Sequence, residues 1–270
     1  MSTLETTRAT GAVSAAERPA PRGIPMTRIA STELRKMFDT RSGFWLMAGI
    51  AIAAVLATGA VVLFASDANL TYNSFAAAVG VPMTVILPIV AILSVTGEWS
   101  QRSGLTTFTI VPNRGRVIAA KAAVSVAVGV VSILLAAGIG AVGNLVGTAI
   151  AGVDPVWNLS VADVAEIVLA NVLGLLVGFM LGVLIRGSAG AIVGYFVYSF
   201  VLPTLAALLA ASQHWFRVLQ PWVDFNFAQG ALYNGSMKAQ DWAHLAVTGA
   251  GWLVIPTALG VWLVMRSEVK

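Results

Sequence analysis

Between Gly43 and Ala65 the chain runs without one charged side chain. At about 1.5 Å per residue a helix of that length reaches roughly 34 Å, enough to cross a hydrocarbon core of about 30 Å. No water is available there for backbone amides, so a segment of this kind is held to helical structure. The rest of the chain repeats the pattern. Apolar runs recur at about 73–97, 117–145, 164–185, 189–211 and 243–265, which makes six candidate spans in an all-α integral membrane protein. The third run stays apolar or glycine-rich as far as Ile150, too long for one upright span. Because Asn144 and several glycines fall in its last third, the surplus is expected to form a tilted helix or an extra turn beyond the membrane.

Composition agrees with this reading. Hydrophobic residues make up 58% of the 270 and charged residues 10%, where a soluble domain carries roughly a quarter charged. There is no cysteine and there are two histidines, so disulfides and thiolate metal sites are excluded and a histidine cage is poorly supplied. Residues 1–24 are polar and proline-dotted and lack the apolar core of a secretory signal, as expected of a disordered cytosolic tail. Residues 25–270 then form a single transmembrane domain.

Orientation follows from the basic residues. With the N-terminus inside, only Arg217 and Lys238 of the sixteen Lys and Arg residues fall outside. Both termini are therefore expected in the cytosol, as in a multi-pass protein of the cell membrane. The same bias accounts for the net charge of +4 without invoking nucleic acid.

Within the spans, Gly174, Gly178 and Gly182 in the fourth, Gly190 and Gly194 in the fifth, and Gly143 and Gly147 in the third offer seams for close helix packing. Pro82, Pro88, Pro203 and Pro256 each remove a backbone donor and favour kinks. Thr84, Ser94 and Thr96 on the second span, with Tyr195, Tyr198 and Ser199 on the fifth, outline a candidate substrate path; hydroxyls bonded to their own helix backbone are the plain alternative. Glu166 is expected at the outer interface rather than as a buried proton site. His214 and His244 are assigned to solvent or interface positions.

Two segments outside the spans carry more information. Residues 25–41 fit an amphipathic helix, with Met26, Ala30, Leu34, Met37 and Phe38 on one face and Arg28, Arg35 and Asp39 away from it, the pattern of a helix lying in the membrane interface. Between the fifth and sixth spans, Trp215, Phe216, Trp222, Phe225, Phe227 and Trp242 punctuate about thirty residues, which predicts short helices dipping into the outer leaflet.

The chain has no phosphate-binding loop, because none of its four lysines (Lys36, Lys121, Lys238, Lys270) follows a glycine. It has no H-E-x-x-H motif and no visible catalytic set. The connection Glu98–Arg116 (EWSQRSGLTTFTIVPNRGR) is more specific. Glu98 closes the second span, Gly104 and Pro112 bracket a short apolar run, and Arg114 and Arg116 lead into the third.

Glu98-Trp99 followed by Arg102, Gly104, Thr106 or Thr107, Pro112 and Arg114, with Glu33-Leu34-Arg35-Lys36 and Thr40-Arg41 before a Trp45-containing first span, resembles the ABC-2 type of ABC-transporter permease. Leu184–Gly190 is similar to the family's actinobacterial members. The chain departs from the family pattern in that Gly104 is followed by Leu105 before Thr106. The resemblance implies six spans per subunit, an interfacial N-terminal helix (Glu33, Leu34, Arg35, Lys36, Phe38), re-entrant outer helices, pairing with a second permease copy or paralogue, and separate ATPase subunits that carry ATP and Mg. It implies a coupling helix around Leu105, Thr106, Thr107 and Phe108, framed by Pro112 and Arg114, with Glu98 and Arg102 anchoring it through charge-assisted bonds. The function expected is outward transport of a hydrophobic or amphiphilic molecule such as a drug, lipid, peptide or polyketide, along a dimer interface at the second and fifth spans. The alternatives are an ATP-independent secondary carrier, disfavoured by the scarcity of intramembrane charge, a structural membrane subunit, or a membrane enzyme.

Overall fold

The computed structural model describes residues 24–100, 114–235 and 237–266, and these are almost wholly helical. Helix α1 (Met26–Asp39) precedes α2 (Arg41–Phe64), α3 (Tyr72–Ser100), α4 (Arg114–Ala151) and α5 (Val161–Ile185). Then come α6 (Ser188–Phe196) and α7 (Leu202–Ser212), the short α8 (His214–Val223) and α9 (Phe225–Gly230), and finally α10 (Ala239–Gly249) and α11 (Ile255–Arg266). Six stretches are long and apolar enough to span a membrane: Gly43–Phe64, Tyr72–Gly97, Arg114–Ala151, Val161–Ile185, Ser188–Ser212 and Ala239–Arg266. The protein is thus a multi-pass membrane protein built as a helical bundle. The expected N-terminal tail and most of the connection between the second and third spans lie outside the described residues.

Local chemistry marks the ends of these helices. Thr40 caps α2, its hydroxyl accepting from the Gly43 amide at 3.1 Å. Ser160 and Asp163 form a reciprocal capping box at the start of α5, and Arg186 ends that helix in the left-handed conformation (φ 59°). The third span is one continuous helix of 38 residues, about 57 Å long. The surplus beyond about residue 145 continues the same helix as far as Ala151. Asn144 is buried and donates its side-chain amide to the Val156 carbonyl at 3.2 Å, so it ties the helix to the following loop rather than ending it. The helix stops seven residues later, ahead of Gly152, whose φ of 69° turns the chain.

Helix α3 lies at the centre, packed against α2, α4, α5 and α6. One core cluster joins Ile50, Val79, Met83, Leu87, Leu175, Phe179 and Val183. A second joins Ile92, Val177, Tyr195, Phe225, Leu232 and Leu245. The most apolar window of the fourth span is 61% buried, against 6% for the fifth and 11% for the first, so the latter two present most of their surface outward.

The glycine seams serve this packing. A Cβ on Gly178 would fall 2.5 Å from the Pro88 carbonyl oxygen, and one on Gly182 would fall 3.3 Å from that of Ile92, so the fourth span rests directly on the backbone of the second. Gly143 and Gly147 accommodate the Phe75 ring, each leaving a space in which a Cβ would stand 2.9 Å from it. Gly190 and Gly194 pack on Ile185.

The prolines bend their helices where the backbone has other partners. Pro82 and Pro88 lie inside α3. Pro203 and Pro256 each follow a π-helical turn, Val197–Val201 and Ala250–Val254, where the widened helix relieves the clash of the ring with the preceding turn.

Substituting Gly178 by Leu should drive the fourth span off Pro88. We expect loss of the monodisperse peak in detergent gel filtration or a fall of at least ~2 kcal/mol in stability, whereas Leu at Gly49, which has no neighbour within 4 Å of its Cβ position, should be tolerated in the same assay.

Candidate functional site

The end of the bundle that carries α1 is held by cations on the third span. Arg114 Nη1 donates to the Val264 carbonyl of α11 at 3.1 Å, and Arg116 Nη2 to the Ile24 carbonyl ahead of α1 at 2.6 Å. Two turns further on, Lys121 is 6% exposed. Its Nζ binds Glu33 Oε2 of α1 and donates to the Ser94 carbonyl of α3 at 3.0 Å. The second Glu33 oxygen accepts from Lys36 Nζ at 2.7 Å. Glu33 itself is 4% exposed. One carboxylate therefore ties α1 to the third span, while Lys121 extends the link to the second.

This arrangement alters the reading of α1. The side turned to the bundle is Ile29 and Glu33, while Met26, Leu34 and Phe38 are exposed. Those three apolar side chains suit contact with a membrane interface. Glu33 is not a solvated member of the polar face: burying a carboxylate is costly unless a cation and further donors meet it, and Lys121 and Lys36 do so. Arg35 is exposed. The available sequence signal was a lysine two turns inside an apolar helix, which reads more naturally as part of a basic loop until α1 is folded against it.

Of the residues assigned to ATPase coupling, Glu98 lies in the last turn of α3 and Arg114 opens α4. Arg102, Leu105, Thr106, Thr107, Phe108 and Pro112 lie outside the described residues.

The candidate path between the second and fifth spans is brought together at one point. Pro88 cannot donate to the carbonyl four residues before it, that of Thr84. The Tyr195 hydroxyl donates to that oxygen at 2.5 Å, and Tyr195 is 4% exposed, so this point is a packed junction. The Thr84 hydroxyl bonds its own helix at Val81. Ser94 faces the third span instead, its hydroxyl 3.2 Å from that of Ser125. Thr96 meets Ser188 at 2.8 Å. Ser199 lies one turn beyond Tyr195, and Tyr198 points to Trp252, with ring centroids 6.2 Å apart.

The aromatic-rich connection forms short helices, as expected. Asp224 caps α9 by accepting from the Phe227 amide at 3.1 Å, and buried Gln229 donates to the Ala170 carbonyl at 2.7 Å, fastening the connection to the fourth span. His214 is exposed, but His244 is buried against the Trp222 ring at 4.4 Å. The packing of α8 on α10 covers it, a tertiary contact invisible in the local sequence. Glu166 is half-buried, with one carboxylate oxygen enclosed and without a hydrogen bond. Among the described residues no group of three or more His, Asp or Glu side chains gathers as a metal site would need.

No family model and no curated protein matches the chain.

A double-substitution cycle tests the buried link. Glu33→Met or Lys121→Met alone should each destabilise the detergent-solubilised protein by about 3 kcal/mol, because a buried charge loses its buried partner. The pair Glu33→Met with Lys121→Met should recover more than half of that loss in the same thermal unfolding assay.

Proposed function

We propose that this chain is the membrane subunit of an ATP-driven exporter of the ABC-2 permease type, moving a hydrophobic or amphiphilic substrate outward. Energy comes from a separate ATPase subunit, which holds ATP and Mg. Both termini lie in the cytosol, and the segment 101–113 is the coupling element that the ATPase pushes.

The observation that carries this reading is the linkage at the α1 end. The coupling segment leaves α3 after Glu98 and returns at Arg114. Both of its flanks are braced: Arg114 and Arg116 reach α11 and the chain before α1, and Lys121 reaches α1 and α3. A push on the segment is thereby passed to four elements at once instead of bending one loop. An ATP-independent carrier gives no reason for bracing concentrated at this end.

The subunit works as a dimer. The second span is largely enclosed by its own neighbours, whereas the fifth and first present broad apolar faces, with Val193, Phe200, Leu205 and Leu208 exposed on the fifth and Val55, Leu56 and Leu63 on the first. We therefore place the partner copy against the fifth span, and the first supplies further surface in place of the second.

The proposal predicts that a neighbouring gene encodes an ATPase with a Gly-x-x-x-x-Gly-Lys-Ser/Thr loop, and that co-expressing the two chains yields a complex whose ATP turnover differs at least ~2-fold from that of the ATPase alone. Glu98→Lys should remove that stimulation and reduce vesicle transport while leaving membrane abundance near normal. An ATPase that neither binds nor responds would reject the proposal, and loss of abundance in the Glu98 variant would assign that residue a structural role. Because the chain has no cysteine, orientation is readable on single-cysteine variants: Lys238→Cys should react with an impermeant maleimide in intact cells, and Arg41→Cys only after lysis.

A further inference from the structure

The two π-helical turns face each other. Tyr198 belongs to the turn Val197–Val201 of the fifth span and Trp252 to the turn Ala250–Val254 of the sixth, and their rings are in contact. Beyond them, away from α1, opens a cavity of about 340 Å³, within the range of small-molecule sites. Leu205 and its neighbours on α7 form one wall, Phe216 of α8 another, and Asp224 and Asn226 close the end.

Its chemistry is selective. Four aromatic residues line it, Tyr198, Phe216, Phe225 and Trp252, and Asp224 is the sole carboxylate among the lining residues, which include no Lys, Arg or His. Trp252 is held by its indole N–H, which donates to the Val223 carbonyl at 2.7 Å, so the ring is fixed rather than free to fill the space. The Asp224 carboxylate is positioned by two donors, Gln220 Nε2 at 3.1 Å and the Phe227 amide at 3.1 Å. Neither donor is a cation, so its negative charge is not neutralised by them. The Tyr198 hydroxyl is buried and makes no hydrogen bond, although the Asn226 side chain stands beside it. An anion would meet a carboxylate and the negative faces of aromatic rings, whereas a cation is favoured by both.

We infer that this cavity is a binding site for a lipophilic cation: a positive centre shielded by apolar groups, lodged among Tyr198, Phe216 and Trp252 and facing Asp224. The apolar wall excludes a hydrated ion such as sodium, for which the site has too few oxygens. The inference deepens the exporter reading by naming a substrate class. Binding is read on this chain alone, so failure here leaves ATPase coupling standing, and failure of coupling leaves the site standing.

The probe is tetraphenylphosphonium, with tetraphenylborate as an anion of nearly the same shape. Purified full-length protein in nanodiscs should bind radiolabelled tetraphenylphosphonium saturably, above the partitioning seen in empty nanodiscs, whereas radiolabelled tetraphenylborate, measured in a separate sample because the two ions pair and precipitate together, should show partitioning alone. Asp224→Asn keeps an oxygen for the Phe227 amide and should weaken binding roughly tenfold with an unchanged unfolding temperature. Ala206→Trp, which fills the cavity from α7 without touching the cap, should abolish binding. Absence of saturable phosphonium binding, equal saturable binding of the borate, or undiminished binding in both variants would overturn the inference. If Asp224→Asn fails to fold, the Ala206→Trp result and the separate borate measurement decide it.

Discussion

The contact of Gly178 with Pro88 governs how the bundle closes. Helices in lipid gain little from burying apolar surface, so close backbone approach and the few available hydrogen bonds decide which faces meet. Gly178 lets the fourth span rest on the second at the point where Pro88 has broken the backbone ladder. The carbonyl released there, on Thr84, is taken by Tyr195 of the fifth span. A glycine, a proline and a tyrosine from three spans thus solve one another's problems. Without the glycine the helices would stand apart, and without the tyrosine the kink would leave a polar atom in an apolar interior.

At the α1 end the same requirement is met with charge. Lys121 enters the bundle because Glu33 and the Ser94 carbonyl meet it, and Glu33 is tolerable there because Lys121 and Lys36 both reach it. The two residues anchor a helix that would otherwise be held by its exposed apolar face alone. The opposite end has a looser arrangement, with short helices, fixed aromatic rings and one carboxylate around an open volume. The two ends thus differ in how they are held, the α1 end by buried charge and the opposite end by aromatic packing and helix caps.

Much of the fold was legible beforehand. Apolar runs located all six spans, since an apolar run of that length has few alternatives to a helix, and the glycine spacing in the fourth span marked a real seam. The surplus expected at the end of the third span, where Asn144 and several glycines fall, is a continuation of the same helix to Ala151. In the fold Asn144 is satisfied by Val156 from the next loop, and the glycines receive Phe75 from α3. Of the path residues, Thr84 and Tyr195 do meet, but Ser94 turns to Ser125, because rotation of a helix about its axis is set by all its neighbours. The buried state of Glu33 and His244 depended on partners far along the chain, Lys121 and the packed α8.

The sequence by itself determined that this chain is helical and spans a membrane six times, because backbone amides in hydrocarbon have only one another to bond. Its basic residues set the orientation expected of it. Only the tertiary structure decided which polar residues are buried together, where the backbone interrupted by proline finds its donors, and that a cavity opens beside aromatic rings and Asp224. These depend on how helices rotate and approach one another, and in an apolar solvent that is settled by shape and by a handful of polar contacts between residues distant in the chain.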